Sequence, residues 1–418
     1  MVEPIVLPRS EHTLSSRDID SDALKVMSRL QEMGHTAYLV GGSVRDLLLG
    51  RRPKDFDIGT SAQPHQVKRG FRNCWIIGRR FRLAHVKFGS KTIEVATFRR
   101  NVPKDEAENG ATDGDLLVQR DNVYGTPEED AFRRDFTVNA LFYDSSDRSI
   151  IDYVGGLQDL EAHVIRSIGD PVERFQEDPV RMLRAVVLSE RLGFDMDPAV
   201  VAAIEEVGPH IRFSAPPRLM EEYFKILRSG YAESSFSGLA RAGLIEHISP
   251  EMEEGLSAEF FASLARLDAW RRQFTEAPDA LTTTILVGSL LEPLGQMDDA
   301  HRKFGVSDQW YPALGRLPVP RKDVERFMQI QSLVPKLRDI ESASRHQHAL
   351  LARGTFREAL TWLDIYTDER DVVEHWKAVL AEPAAHAVVH AAENDEAPAG
   401  RRRRRRRRRR GPVHTPAA

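Results

Sequence analysis

The chain has almost no cysteine: Cys74 is the only one in 418 residues. That excludes an internal disulfide framework and a cysteine-built zinc site. No stretch is long and apolar enough to cross a bilayer, and the N-terminus lacks the apolar segment of a secretory leader. A cytoplasmic location without a membrane span is the expectation. A net positive balance is also missing outside one place. The formal net charge is −4, but residues 401–410 are ten consecutive arginines, and setting them aside takes the charge to −14. An acidic body with a strongly basic tail points to a polyanionic partner held by the tail, with Arg401, Arg405 and Arg410 marking its extent. The competing reading is a low-complexity solubility run. A block of like charge does not fold alone, and the polar stretch before it reads as a linker, so 386–418 is expected to be disordered.

What is present begins at Gly41-Gly42. A double-glycine turn follows the apolar run Ala37–Val40 and opens a short apolar helix, and a basic connection then leads to Asp55-Phe56-Asp57. In an extended strand residues i and i+2 project to one face, so Asp55 and Asp57 lie side by side while Phe56 and Ile58 enter the core. Adjacent carboxylates repel unless a cation sits between them, and Mg²⁺ shared with triphosphate oxygens is the usual solution. The glycines let backbone N–H groups approach phosphate, and the helix presents its positive end. This is the pattern of a nucleotidyl-transfer site.

The rest of the chain divides into a mixed α/β head and a helical body. Residues 1–18 have no clear period and read as a flexible arm. Ile19, Ala23, Val26, Met27 and Leu30 share one helical face. Strands are expected at 75–77, 84–88 and 92–98, with Gly89-Ser90 as a hairpin turn. Residues 101–122 are polar and read as a mobile loop. Thr126-Pro127-Glu128-Glu129 is a helix start, and strands follow at 140–143 and 149–152. From Val172 on nothing is strand-like. Helices are expected near 176–192, 198–206, 216–228, 233–243, 258–274, 280–292, 320–333 and 355–366.

Four further segments carry chemistry. Glu94 is out of phase with Ile93 and Val95, so it leaves the apolar face of its strand and can supply a third carboxylate to two Mg²⁺ ions; the alternative is a solvated sheet residue. In Arg133–Leu141, Arg134 and Asn139 suit phosphate and sugar oxygens, and Asp135 either orients an arginine or assists at the metal site. An exposed, ion-paired helix end is the plainer alternative there. Asp178 and Arg181, read on one helix face with Arg184 beyond, offer an acceptor and a donor that match the Watson–Crick edge of adenine and of cytosine. The plainer reading is a surface ion pair. Residues 71–86 set Arg79, Arg80 and Arg82 among aromatic side chains, which suits an RNA strand. His85 receives no catalytic role, and Cys74 reads as packing.

Taken in order, Gly41–Asp57, Arg133–Leu141, Asp152-Tyr153-Val154-Gly155-Gly156 and Glu177–Ala185 resemble the motifs of the class II nucleotidyltransferases, which combine bacterial poly(A) polymerases with CCA-adding enzymes. The segment 76–86, Asp121 through Gly125 and the arginine-rich C-terminus look like the poly(A) polymerase branch. The resemblance implies an α+β fold with a polymerase-β-like head of mixed sheet (19–165), followed by an all-helical neck (166–255) and body and tail (256–385). It implies Asp55 and Asp57 as metal ligands for two Mg²⁺, Asp135 and Glu94 as further catalytic candidates, and Gly41, Gly42 and Arg45 on the triphosphate side. Arg134, Asn139, Asp178, Arg181 and Arg184 would meet the nucleotide. The implied activity is addition of AMP from ATP to the 3′ ends of messenger and small RNAs, promoting their processing and decay, with RNA-decay proteins as partners. A CCA-adding enzyme shares every catalytic residue; a non-catalytic RNA-binding factor on the same fold is the remaining rival. One departure is Val187-Leu188-Ser189, where family members often carry arginine and a bulky residue. Another is the density of the ten-arginine run.

Overall fold

The structure, a computed structural model, describes residues 3–78, 82–100, 123–295 and 314–382. The chain forms two compact units. One comprises Met1–Pro278 with Ser289–Val319; the other comprises Asp279–Gly288 and the described residues from Pro320 onward. The first unit holds the head and the helices that follow it, so no unit boundary falls at 165–166 or 255–256.

The head is an eight-stranded mixed sheet of order β1-β8-β7-β2-β3-β6-β5-β4. The strands are β1 (Ile5–Leu7), β2 (Ala37–Val40), β3 (Ile58–Thr60), β4 (Cys74–Ile77), β5 (Leu83–Phe88), β6 (Lys91–Thr97), β7 (Leu141–Asp144) and β8 (Ile150–Asp152). All neighbours are antiparallel except β3 and β6, where Ile58 pairs with Val95 in parallel register. The parallel pair requires a crossover, and the helix Pro64–Gly70 with strands β4 and β5 provides it.

Local signals account for most of these elements. Asp20 caps the helix Ser21–Glu32 by accepting from the backbone of Asp22 and Ala23, and the face expected from the periodicity, Ala23, Val26, Met27 and Leu30, is buried. Thr126 and Glu129 form a reciprocal capping box at the helix Pro127–Arg133. In the head sheet one strand was not expected and another starts later than expected. Ile5–Leu7, read as part of a loose arm, pairs with β8 at the sheet edge, because β8 leaves backbone donors and acceptors that an extended segment can satisfy. Strand β3 starts only at Ile58, so Asp55 and Phe56 precede the strand and Phe56 is half-buried rather than in the core. Asp57 still joins the ladder, its carbonyl accepting from the Val40 amide at 3.0 Å.

The helix expected over 176–192 is two helices, Pro171–Glu177 and Val180–Leu192. Pro179 lacks an amide hydrogen and disfavours helical backbone in the residue before it, so Asp178 adopts an extended conformation at the break. The expectation that Asp178 and Arg181 share a helix face is therefore corrected. A short strand also follows Val172: Asp195–Met196 pairs in parallel with Val164–Ile165. Helices at Leu244–Ile248, Pro250–Glu254, Ser344–Leu351 and Arg370–Ala381 lie beyond those expected.

In the second unit Phe327 and Trp362 meet edge-on with ring centroids 4.5 Å apart. Gly288 makes that possible, since a Cβ there would lie 2.2 Å from the Phe327 ring. Trp376 donates its indole N–H to the Leu337 carbonyl at 2.8 Å. Among the described residues no helix is long and apolar enough to cross a membrane.

Candidate nucleotide site

The first unit contains a cleft of about 840 Å³ lined by residues from the glycine turn after β2, Asp57, the 133–139 segment and the helices after Pro171. Gly41, Gly42, Arg45, Asp57, Arg134, Asp135, Asn139, Asp178, Arg181 and Arg184, all singled out in the sequence, line it together. Asp55 and Glu94 do not line it.

Gly41 has φ +73°, and a Cβ there would lie 2.8 Å from an Arg134 guanidinium nitrogen. The glycine therefore supplies both the turn and the space for that arginine. Arg134 in turn donates to Asp130 Oδ2 at 3.0 Å and to the Asn139 carbonyl at 3.1 Å. Its guanidinium stands 5.3 Å over the Phe142 ring, part of a cluster with Tyr38, Phe98 and Tyr153.

Arg45 is buried. It donates to Asp46 Oδ1 through two nitrogens and to the side-chain oxygen of Asn139. Burial pulls its pKa down, while the neighbouring Asp46 pushes it back up. Asp46 is also ion-paired to Arg191 at 2.6 Å. Arg45 thus acts first as a brace beneath the glycine turn. Asn139 is orientated at both ends, since its amide nitrogen donates to Asp135 Oδ1 at 3.2 Å.

Asp135 is buried against three partners: Arg184 at 2.7 Å, the Asn139 amide and its neighbour Phe136's backbone N–H at 2.9 Å. Burial alone would raise its pKa, but Arg184 and the two hydrogen bonds outweigh it and hold the carboxyl below the ordinary carboxylate range. The same pair raises the pKa of Arg184. The contact with Arg184 is the one that the arginine-orienting reading of Asp135 expects.

Asp57 behaves differently. Crowding by protein atoms, then the charges of Glu94 and Asp55, push its pKa up to about 6. Its side chain still opens onto solvent, so the carboxylate repulsion is the firmer cause. Asp55 is exposed, with Lys54 at 3.5 Å. Among the described residues no three ligating side chains converge as a ready-made metal cage. A pair of repelling carboxylates that needs oxygens from elsewhere is nonetheless what Mg²⁺ takes, since it binds through one or two carboxylates plus substrate phosphates.

Asp178 and Arg181 both reach the cleft, but they do not pair with each other there. Arg218, on the helix Pro216–Leu227, grips both Asp178 oxygens at 2.8 and 2.6 Å. Arg181 donates to the Arg174 carbonyl at 2.9 Å and to Glu177 at 3.1 Å. Arg174 is a buried brace whose guanidinium donates to the carbonyls of Arg133 and Arg134 at 2.8 and 2.7 Å. The sequence reading missed Arg218 and Arg174. Arg218 lies 40 residues from its partner, and no local pattern marks such a contact.

The Asp152–Gly156 motif is structural. Asp152 accepts from the amides of Val154, Gly155 and Leu157 at 2.9–3.0 Å. A Cβ at Gly156 would lie 2.3 Å from the Thr137 carbonyl oxygen, so the motif sets the turn against the segment carrying Asn139. Arg82 is exposed with φ +42°. Arg79, Arg80, Arg401, Arg405 and Arg410 lie outside the described residues, as do the expected loop 101–122 and tail 386–418.

Three family models match this chain. Residues 37–166 match the poly A polymerase head domain, 193–256 a probable RNA and SrmB-binding site of polymerase A, and 311–410 the polymerase A arginine-rich C-terminus. In these three stretches the chain matches the poly(A) polymerase family. It is 49% identical to poly(A) polymerase I of Escherichia coli O6:H1 over 249 residues, 59% of this chain and 53% of that one. It is 46% identical to poly(A) polymerase I of Haemophilus influenzae over 59% of this chain and 55% of that one. A CCA-adding enzyme of Lactobacillus helveticus is 36% identical over 52% of this chain and 53% of the relative. The chain spans about half the length of the curated relatives it matches. Among solved structures, the Bacillus stearothermophilus CCA-adding enzyme in complex with CTP superposes with a TM-score of 0.56 at 27% identity, covering 89% of this chain and 82% of that one.

Proposed function

We propose that this chain is an ATP-dependent RNA 3′-adenylyltransferase. The carrying observation is the single cleft in which a glycine turn, a braced arginine–asparagine set, Asp57 and the base-reading residues meet. The 3′-hydroxyl oxygen of the RNA bonds to the α-phosphorus of ATP as the bond from that phosphorus to the β-phosphate breaks, and pyrophosphate leaves.

The residues divide the work. Gly41 and Gly42 leave the backbone open to the triphosphate. Arg134, fixed by Asp130 and Phe142, sets a positive charge beside that turn. Asn139, locked between Arg45 and Asp135, offers no freedom to swing, which suits a residue that positions a ribose or phosphate oxygen. Asp55 and Asp57 would hold Mg²⁺, with Glu94 the third carboxylate because strand register sets it beside Asp57. When bound, the metal supplies Lewis-acid stabilisation of charge on the phosphoryl oxygens. Asp135 is then a positioning residue for Arg184.

Arg218 bears on nucleotide choice. A free Asp178 carboxylate would accept from the exocyclic amine of adenine or cytosine equally. With both its oxygens engaged by Arg218, Asp178 contributes a fixed pocket wall and Arg181 becomes the donor to the ring nitrogen. A wall that cannot shift discriminates between bases of different size, and the adenylyltransferase reading takes adenine as the one that fills it.

RNA as acceptor is supported by the family match at 193–256 and by the ten-arginine run. Messenger and small RNAs, an effect on their decay, RNA-decay proteins as partners and a cytoplasmic location all belong to the same reading. The CCA-adding alternative rests on the fit of Asp178 and Arg181 to both bases and on the fold shared with a CTP-bound enzyme. Supplying ATP and CTP separately, with Mg²⁺, to an oligonucleotide primer and to a tRNA lacking its CCA end separates the two. Efficient CTP incorporation into the tRNA overturns the adenylyltransferase reading.

A further inference from the structure

The sheet carries a row of side chains that leads from the cleft to its edge. Ile58 of β3 pairs with Val95 of β6, which sets the preceding residue, Asp57, beside Glu94. Glu94 pairs with His85 of β5, and His85 pairs with Trp75 of β4. Ile93 and Val95 are buried on the opposite face, so Glu94 and its cross-strand neighbours point outward. His85 Nε2 lies 3.3 Å from Glu94 Oε2. At about 4.8 Å between strands, Trp75 stands roughly 14 Å from Asp57.

The far end of the row is open and apolar. Trp75 and Ile77 are 51% and 50% exposed. Lys87 projects on the same face with its ammonium 5.6 Å from the Trp75 ring. Arg72 and Arg82 are exposed nearby in the chain, and neither β4 nor β5 contains an acidic residue. An exposed indole beside a cation, with no carboxylate on its own strand or the next, is the combination that stacks a base while meeting its phosphate.

We propose that this face of β4–β6 is the track for the last nucleotides of the acceptor RNA, with Trp75 as a stacking platform. The proposal rests on the RNA-extension reading of the cleft. At about 3.4 Å per stacked nucleotide, the separation places Trp75 under the base about four positions from the 3′ end. The single-stranded RNA is chosen over a protein strand because the row ends at the carboxylates where the 3′-hydroxyl must arrive.

The test compares three-nucleotide and ten-nucleotide oligo(A) primers with wild type, W75A and W75F. The expected result is that W75A raises the ratio of ten-nucleotide to three-nucleotide KM about tenfold, the loss expected of one base stack, and that W75F restores most of it. An equal rise for both primers, or none for the longer one, overturns the proposal. So does conversion of a dimer to a monomer by W75A without a change in primer KM, which would mean that the edge pairs two copies. If wild type extends no primer, the reading of the cleft has failed. Anisotropy of the labelled ten-nucleotide RNA then still decides this face: about tenfold weaker binding by W75A supports the track, and equal binding overturns it.

Discussion

Replacing Arg218 by alanine frees both oxygens of Asp178. The fork is bidentate at 2.8 and 2.6 Å, the geometry of a strong charge-assisted pair. Its worth is limited by solvent, since the arginine side chain is 47% exposed and the aspartate 24%. An interaction of that kind is held to about 1 kcal/mol. Global stability should therefore fall by no more than about 2–4 °C in Tm, while the pocket wall loses its anchor. If the fork sets nucleotide choice, the same 1 kcal/mol appears as discrimination: the ratio of kcat/KM for CTP to that for ATP should rise about fivefold. Single-nucleotide extension of one RNA primer with each triphosphate measures it. A ratio that stays within about 1.5-fold of wild type, with folding intact, refutes the reasoning.

Asp57 predicts a pH dependence. Its folded pKa, pushed up to about 6, lies above its ordinary value of 3.8, so ionisation destabilises the metal-free fold progressively from about pH 4 to pH 6 and the penalty persists above. D57N should therefore raise the metal-free Tm at pH 7.5 but not at pH 4, by a few degrees at most after allowance for solvent, and should abolish primer extension. Added Mg²⁺ should raise the wild-type Tm at pH 7.5 and leave that of D57N unmoved, which calorimetry reads directly. Gly41→Ala puts a Cβ against Arg134 at a positive φ, costing about 1–2 kcal/mol and weakening ATP use, measurable as a raised KM for ATP. Deleting residues 401–418 should weaken RNA binding and flatten its dependence on salt, seen in titrations between 50 and 200 mM.

Much of this molecule is local. The Asp20 cap, the Thr126 capping box and the alternation that turns Glu94 outward are short-range facts, set by hydrogen bonds and periodicity within a few residues. The Gly41 turn and the carboxylates of Asp55 and Asp57 were likewise visible as chemistry, because φ > 0 and charge repulsion follow from residue type. Their partners were not visible. Arg218 on Asp178, Arg184 on Asp135 and Arg191 on Asp46 join residues 40 or more positions apart, and an ion pair leaves no periodic trace in either segment. Proline 179 carried a local signal that the helical period around it masked, and the break it makes moved Asp178 off the face of Arg181. The row from Asp57 to Trp75 depends on strand register, which long-range pairing alone selects. The sequence by itself thus determined which residue types make a nucleotidyl-transfer site. Tertiary structure decided which of them stay open to the cleft and which hold each other, because a side chain's free hydrogen-bonding capacity is known only once its neighbours are in place.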